Sequence, residues 1–402
     1  MTDKNPREAV ILGAARTPQG KFLGALAPLS AAELGQTAFK AAVERSGIDA
    51  NNVNEVIVGN VISAGVGQAL PRQISIGAGV PDTVGGVAVN KVCGSGLKSV
   101  MLAATAIKAD EGDLFLAGGV ESMSNAPYLD DHMRQGNKYG AVQLRDSLQT
   151  DGLWCSFEDW AMGNAAEFIG KQLEITREEM DEFAFRSHQL AHQATESGKF
   201  NAEIAPVTIQ SRKGNVTITT DEPIRPDTSL EALASLRPAF EKDGQVTAGN
   251  APGMNDGASA VVVASRAYAE QNGHQPIARI VAFGQAALDP KWIFYAPVKA
   301  IPVALQKAGW TVDDVDLFEI NEAFASQVLA DMRGLERDGY AVPMEKVNVH
   351  GGAIALGHPL GSSGSRVLVT LIHALQDRGL KRGVAALCLG GGEAVAMAVE
   401  LE

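Results

Sequence analysis

Val43-Glu44-Arg45-Ser46-Gly47, followed by Val53-Asn54-Glu55-Val56-Ile57-Val58, reads as a helix end, a turn and a strand, and the chain writes this passage twice. Leu305-Gln306-Lys307-Ala308-Gly309 and then Val315-Asp316-Leu317-Phe318-Glu319-Ile320 follow it at a constant offset of 262 residues. Further on, Leu114-Phe115-Leu116-Ala117-Gly118-Gly119 is matched by Leu387-Cys388-Leu389-Gly390-Gly391-Gly392 at an offset of 273, and Gly96 by Gly364 at 268. Single matches of Gly and Leu carry little weight. Three in the same order predict a duplicated α/β half.

Around these anchors, strands and helices alternate. Residues 8–13 and 113–117 have strand patterns, and 31–46 and 96–109 have helical ones. The second half gives a helix at 365–378 and a hairpin at 383–401. Strands that are apolar throughout belong in the middle of a sheet covered on both faces. Between about 121 and 247 the repeat has no counterpart. That stretch is polar and rich in loops, with a helical segment at 177–197, and predicts an inserted loop domain lying over the site. The expected division is 1–120 plus about 247–270 for the first half, 121–246 for the loop domain and 271–402 for the second half.

The chain has 402 residues, 46% hydrophobic and 20% charged, an ordinary globular balance. Its net charge of −13 argues against non-specific nucleic-acid binding but leaves room for an anionic ligand on a local cationic patch. Three cysteines, Cys93, Cys155 and Cys388, form an odd, sparse set that points to reduced thiols and a cytoplasmic location. The polar stretch at 1–8 has no signal-peptide core, and the final residues carry no peroxisomal address. No apolar run is long enough to predict a membrane span.

Four turns carry chemistry. Asn90-Lys91-Val92-Cys93-Gly94-Ser95-Gly96-Leu97 places a cysteine between a strand and a helix start, where unsatisfied N–H groups and the helix dipole favour thiolate. Asn321-Glu322-Ala323-Phe324-Ala325 directly follows a buried strand. His350-Gly351-Gly352-Ala353-Ile354-Ala355-Leu356-Gly357-His358-Pro359-Leu360-Gly361-Ser362-Ser363-Gly364 is a long Gly-rich turn. The last is Cys388-Leu389-Gly390-Gly391-Gly392. Each sets a reactive or hydrogen-bonding group at the end of a strand, where α/β folds hold ligands. The bland readings differ by residue. Cys155 reads as a core or loop cysteine and His350 as structural. His188 and His192, four apart on a helix, lack a third metal ligand. Gly391 and Gly392 are no phosphate loop, since no Lys-Ser/Thr follows.

Taken together, these four turns resemble the signatures of the thiolases, in order and over essentially the whole chain. Within that family they are most similar to the acetyl-CoA acetyltransferases (acetoacetyl-CoA thiolases). The resemblance implies an α/β fold of duplicated halves in the five-layered αβαβα thiolase arrangement, with an inserted loop domain. It implies reversible condensation of two acetyl-CoA to acetoacetyl-CoA and CoA through an acetyl-Cys93 intermediate. Coenzyme A thioesters are then substrates, with no cofactor and no metal. Cys93 would be the nucleophile, His358 its base and Cys388 the group moving the α-proton. Asn321, through an ordered water, and His358 would form one oxyanion hole. The backbone N–H groups of Cys93 and Gly390 would form the other. Arg134 and Lys138 would meet the phosphates of coenzyme A. Met162, Phe240, Ala248, Pro252, Ala323 and Phe324 would line its path.

Three departures from the family bear on substrate choice. Pro252 stands where many members have Ser, so a hydroxyl and an N–H are missing. Ala161-Met162-Gly163 replaces a His-Met-Gly, and Lys291-Trp292-Ile293-Phe294-Tyr295-Ala296-Pro297 replaces a smaller stretch. The competing expectation is a broader 3-ketoacyl-CoA thiolase of fatty-acid β-oxidation. Members of the family are dimers or tetramers, so a homo-oligomer is expected, with no nucleic-acid or membrane partner.

Overall fold

The computed structural model describes residues 5–210 and 214–402; the first four positions of the polar stretch at 1–8 lie outside them. The principal elements of the first half are β1 (Ala9–Arg16), α1 (Ala31–Ser46), β2 (Glu55–Gly59), α2 (Leu70–Gly77), β3 (Gly85–Val89), α3 (Ser95–Lys108) and β4 (Leu114–Ser122). The intervening segment holds α4 (Met162–Gln172) and α5 (Arg177–Glu196). Then come β5 (Asn255–Ser265), β6 (Ala278–Ala287), α6 (Pro297–Ala308), β7 (Leu317–Ile320), α7 (Ala325–Arg337), α8 (Leu360–Arg378), β8 (Arg382–Leu389) and β9 (Glu393–Leu401).

One mixed sheet runs β7-β8-β9-β6-β1-β5-β4-β2-β3. Strand β2 pairs in parallel with β4, β4 antiparallel with β5, and β5 antiparallel with β1. The second half repeats that pattern as β7, β8, β9 and β6. Even the irregularities match: the register slips between Ile11 and Gly13 in β1, and between Ile280 and Ala282 in β6. The halves join through two residue pairs, Val10 with Arg279 and Ile11 with Ala278. Strand β1 is buried along its whole length, as its apolar run requires.

The repeated glycines explain the repeated passage. Gly47 ends α1 at φ 65° and Gly309 ends α6 at φ 71°, left-handed positions that turn the chain toward β2 and β7. At its other end, α1 is fixed by a capping box between Ser30 and Glu33.

Helix α1 packs against β1, β4 and β5, and α6 against β6 and β9, while α3 and α8 lie together between the halves. The order is helix, half-sheet, two central helices, half-sheet, helix, the two half-sheets being continuous through β1 and β6: the αβαβα arrangement. The central pair approaches closely at Gly96 and Gly364. A Cβ on Gly96 would stand 2.5 Å from the Ser365 hydroxyl, and one on Gly364 2.3 Å from the backbone nitrogen of Leu97. This contact explains a difference from the sequence pattern. Helix α8 begins at Leu360, not at 365, because Gly361-Ser362-Ser363-Gly364 is buried against α3 and β4 as helix.

The intervening segment is fastened to the first half by charge. The buried guanidinium of Arg16 reaches Glu203 and Asp221, each at 2.7 Å, and Arg45 donates to the carbonyls of Glu203 and Ile204. Its helices α4 and α5 pack on α7. At the far edge of the sheet, β3 is largely exposed, Val87 included. Among the described residues no helix is long and apolar enough to cross a membrane.

Candidate active site

The turn before α3 is strained. Val92 has φ 46°, an unusual conformation for a β-branched residue. The strain is held by hydrogen bonds: the Val92 N–H donates to the Asn90 side chain at 3.0 Å, and the Ser95 hydroxyl donates to the Val92 carbonyl at 2.6 Å. Lys91 anchors the turn to Glu393 at the start of β9. The result presents Cys93 just ahead of Gly94, the cap of α3, partly open to a cavity.

The electrostatics of Cys93 differ from the sequence expectation. Its own backbone N–H and that of Gly390 reach the sulfur and favour thiolate, as a helix start should. Burial outweighs them and, with a smaller contribution from the nearby carboxylate of Glu121, pushes the thiol up to about 12. At neutral pH Cys93 therefore rests as a thiol, and a base must take its proton. Glu121 itself is fully buried and accepts from Asn60, from the N–H groups of Val61 and Ile62, and from Gly361 at 2.8 Å. It ties the first turn of α8 to the end of β2.

His358 stands on the second Gly-rich turn. Its backbone N–H donates to the Asn255 side chain at 2.9 Å, and Asn255 donates in turn to the Gly20 carbonyl. Its Nδ1 is 2.6 Å from the Ser363 hydroxyl, which donates to the Pro359 carbonyl at 2.9 Å. A hydroxyl that spends its proton on a carbonyl offers Nδ1 a lone pair. Both Ser363 bonds are made together when the ring carries its proton on Nδ1, which leaves Nε2 as acceptor. Buried Nε2 has no protein partner among the described residues, and His358 lines the cavity. Burial, helped by the charge of Arg366, pushes the imidazole down to about 3, so it rests neutral.

Asn321 follows β7 and is fully buried. Its Nδ2 is 3.5 Å from Nδ1 of His358, and its Oδ1 has no partner among the described residues. Cys388, near the end of β8, lines the cavity at 1% exposure. Burial raises its thiol well above the usual range, with Cys93 and then Asp331 adding to the effect.

The cavity measures about 420 Å³ and is walled mainly by apolar side chains. It gathers Cys93, His358 and Cys388 with Met162, Phe240, Ala248, Pro252, Ala323 and Phe324 from the expected set. Gly390 meets it through its N–H on the Cys93 sulfur. Arg134 and Lys138 stand exposed on the loop before Arg145 and do not line it. Phe240 is 40% exposed and packs edge-on to Phe324 at 6.2 Å. Of the departing stretch, Ile293 and Phe294 form the wall, while Trp292 turns away to pack on Phe168 and Tyr295. Ala161 lines the cavity too.

The remaining candidates fall elsewhere. Nδ1 of His188 accepts from the Arg225 N–H at 3.2 Å, and burial lowers that imidazole to about 4. Among the described residues no group of three His, Cys, Asp or Glu is placed to hold a metal. His350 packs edge-on to Phe200, and Cys155 is buried beside Trp160. Residues not singled out in the sequence also take part: Ser363 and Asn255 orient His358, and Gln149 and Met254 line the cavity. Arg225 does not line the cavity, but its guanidinium is 3.5 Å from the carbonyl of Ala248, which does.

Comparison with known proteins identifies the family. The thiolase N-terminal domain matches residues 9–267 and the thiolase C-terminal domain residues 274–401. An acetyl-CoA acetyltransferase of Cupriavidus necator is 49% identical over 394 residues, covering 98% of this chain and 99% of that protein. One of Escherichia coli is 49% identical over 395 residues, with the same coverage. The crystal structure of the Bacillus anthracis acetyl-CoA acetyltransferase superposes with a TM-score of 0.95 at 43% identity, covering 98% of this chain and 99% of that one. The chain belongs to the thiolase family.

Proposed function

We propose that this chain is an acetyl-CoA C-acetyltransferase, condensing two acetyl-CoA to acetoacetyl-CoA and CoA, reversibly, through an acetyl-Cys93 intermediate. The observation that carries the reading is the convergence of Cys93, His358 and Cys388, from three separate turns, on one cavity. The thiol of Cys93 gives its proton to Nε2 of His358 as the sulfur attacks the thioester carbonyl. The oxyanion collects the N–H groups of Cys93 and Gly390. The bond to the coenzyme sulfur breaks, and the departing thiolate takes the proton of Cys388. Acetyl-Cys93, an imidazolium and a Cys388 thiolate remain.

That thiolate removes an α-proton from the second acetyl-CoA. His358 and, through an ordered water, Asn321 hold the enolate oxygen. The enolate carbon bonds to the acetyl carbon, the bond to Cys93 breaks, and Cys93 recovers its proton from His358. The scheme starts from a neutral imidazole and two neutral thiols, the forms that burial favours. The thioester already activates the carbonyl and acidifies the α-carbon, so the chemistry calls on no cofactor or metal.

Coenzyme A would lie along Met162, Phe240, Ala248, Pro252, Ala323 and Phe324, with Arg134, Lys138 and Arg225 as candidate phosphate contacts. We also read the chain as a cytoplasmic homo-oligomer without nucleic-acid or membrane partners, the exposed edge at β3 being available for pairing. We keep the division into 1–120 plus about 247–270, 121–246 and 271–402. The test is cleavage of acetoacetyl-CoA by CoA, compared with longer 3-ketoacyl-CoA. Preference for the four-carbon substrate, lost in Cys93→Ala, is expected. Equal or better turnover of long chains would move the assignment to a broader 3-ketoacyl-CoA thiolase, and full activity in Cys93→Ala would overturn the mechanism.

A further inference from the structure

The apolar core around Cys388 contains a carboxyl group that the catalytic scheme does not use. Asp331, on α7, is fully buried, and the same core holds Ala325, Val328, Ala330 and Cys388. Among the described residues Asp331 makes no ion pair. Its Oδ2 accepts a close hydrogen bond from Nε2 of Gln327, one turn earlier, and its Oδ1 has no partner. Its charge is felt at the thiol of Cys388. Burial raises the carboxyl well above its usual range, against the hydrogen bond from Gln327.

Gln327 connects this acid to the site. Its Oε1 accepts from the backbone N–H of Ala323 at 3.0 Å. Ala323 lines the cavity and lies two residues after Asn321. The amide has one orientation that serves both ends, NH₂ toward Asp331 and oxygen toward Ala323. A buried acid without a cation is a poor stabilising device, since an apolar residue of similar size usually does as well or better. Its presence under Cys388, holding the turn that carries Asn321, calls for another role.

We propose that Asp331, acting through Gln327, is a positioning residue that holds the Asn321–Phe324 turn in register with Cys388 for the carbon–carbon step. The inference rests on the roles proposed above for Asn321 and Cys388. Acyl transfer to Cys93 draws a proton from Cys388 but makes no use of Asn321, whose turn Gln327 holds through the Ala323 N–H.

Three measurements on purified protein test this: exchange of labelled CoA with acetyl-CoA, which reports acylation of Cys93; kcat and KM for acetoacetyl-CoA cleavage; and the melting temperature. Asp331→Val should melt at or above the wild type and keep exchange within about twofold. Its cleavage kcat should fall about tenfold or more at nearly constant KM. Asp331→Asn, whose Oδ1 still accepts from Gln327, should recover most of the loss. Should Asp331→Val fold poorly, Gln327→Met, which keeps the chain length and loses both contacts, should show the same split. Unchanged cleavage in the folded variants, or exchange and cleavage falling together, would overturn the proposal. Wild-type protein that exchanges acetyl groups yet cleaves no acetoacetyl-CoA would instead overturn the assigned reaction.

Discussion

The hydroxyl of Ser363 lies 2.6 Å from Nδ1 of His358 and 2.9 Å from the carbonyl of Pro359, the residue that caps the same helix. The imidazole tautomer is thus set by the first turn of α8. Ser363→Ala removes the acceptor and frees the ring to carry its proton on Nε2, where it is no base. Cleavage kcat should fall about tenfold or more, with KM for the coenzyme near the wild-type value. Steady-state kinetics on the folded variant check it, and an unchanged kcat would show that the tautomer is set by something else.

Burial of neutral His358 has a consequence for pH. The folded imidazole is pushed down to about 3, while in the unfolded chain it titrates near its ordinary value of about 6.5. Between these values the unfolded chain binds the extra proton. The contribution of His358 to stability is therefore complete above about pH 6.5 and is lost as the pH falls toward 3. Denaturant unfolding at several pH values should show a shallower acid loss in His358→Asn than in the wild type. His188, lowered to about 4 by burial, adds a loss of the same sign to both proteins, so the difference isolates His358. The acylation rate of the wild type should also lack an acid limb near pH 6.5.

Two pairs of repeated glycines separate close approach from turn geometry. A Cβ on Gly364 would meet the Leu97 nitrogen at 2.3 Å, backbone that has nowhere to go. A Cβ on Gly309 meets nothing within 4 Å, but the residue sits at φ 71°. Gly364→Ala should cost about 3 kcal/mol through overpacking, and Gly309→Ala about 1 kcal/mol through backbone strain. Denaturant midpoints at fixed pH decide it, and equal losses at the two sites would contradict the distinction.

The same glycines show why much of this molecule was legible in its sequence. Gly47 and Gly309 stop equivalent helices, so the duplication is written at fixed offsets in residues that the backbone demands. Cys93, His358 and Cys388 were legible because each sits in a contiguous turn whose chemistry is local. What escaped depends on which side of a segment faces inward. Trp292 and Phe294 both interrupt the helical geometry of the 290–295 turn, yet one turns out and the other walls the cavity, an outcome no spacing pattern predicts. The helix-start N–H groups that favour thiolate at Cys93 are local and legible, whereas the burial that outweighs them is tertiary. Asp331 looks in the sequence like one polar residue on a helix, and only packing reveals that it faces the core.

The wall formed by Ile293 and Phe294 makes chain length a matter of volume. Phe294 is buried, with its ring 5.3 Å from that of Phe324, and Ala161 is a small residue lining the same cavity. Trimming the wall with Phe294→Leu should lower kcat/KM for acetoacetyl-CoA slightly and raise it for six- and eight-carbon 3-ketoacyl-CoA. Filling the space with Ala161→Met should do the reverse. Because a methylene in an apolar pocket discriminates by about 1–3 kcal/mol, the ratio of long to short substrates should move about tenfold or more in opposite directions in the two variants. The comparison needs the ratio, not the absolute rates, since a loss of overall activity cancels between substrates measured on the same enzyme. A ratio that stays constant in both variants would mean that the acyl chain leaves Cys93 along a different wall, and Ile293 and Phe294 would then act only as core.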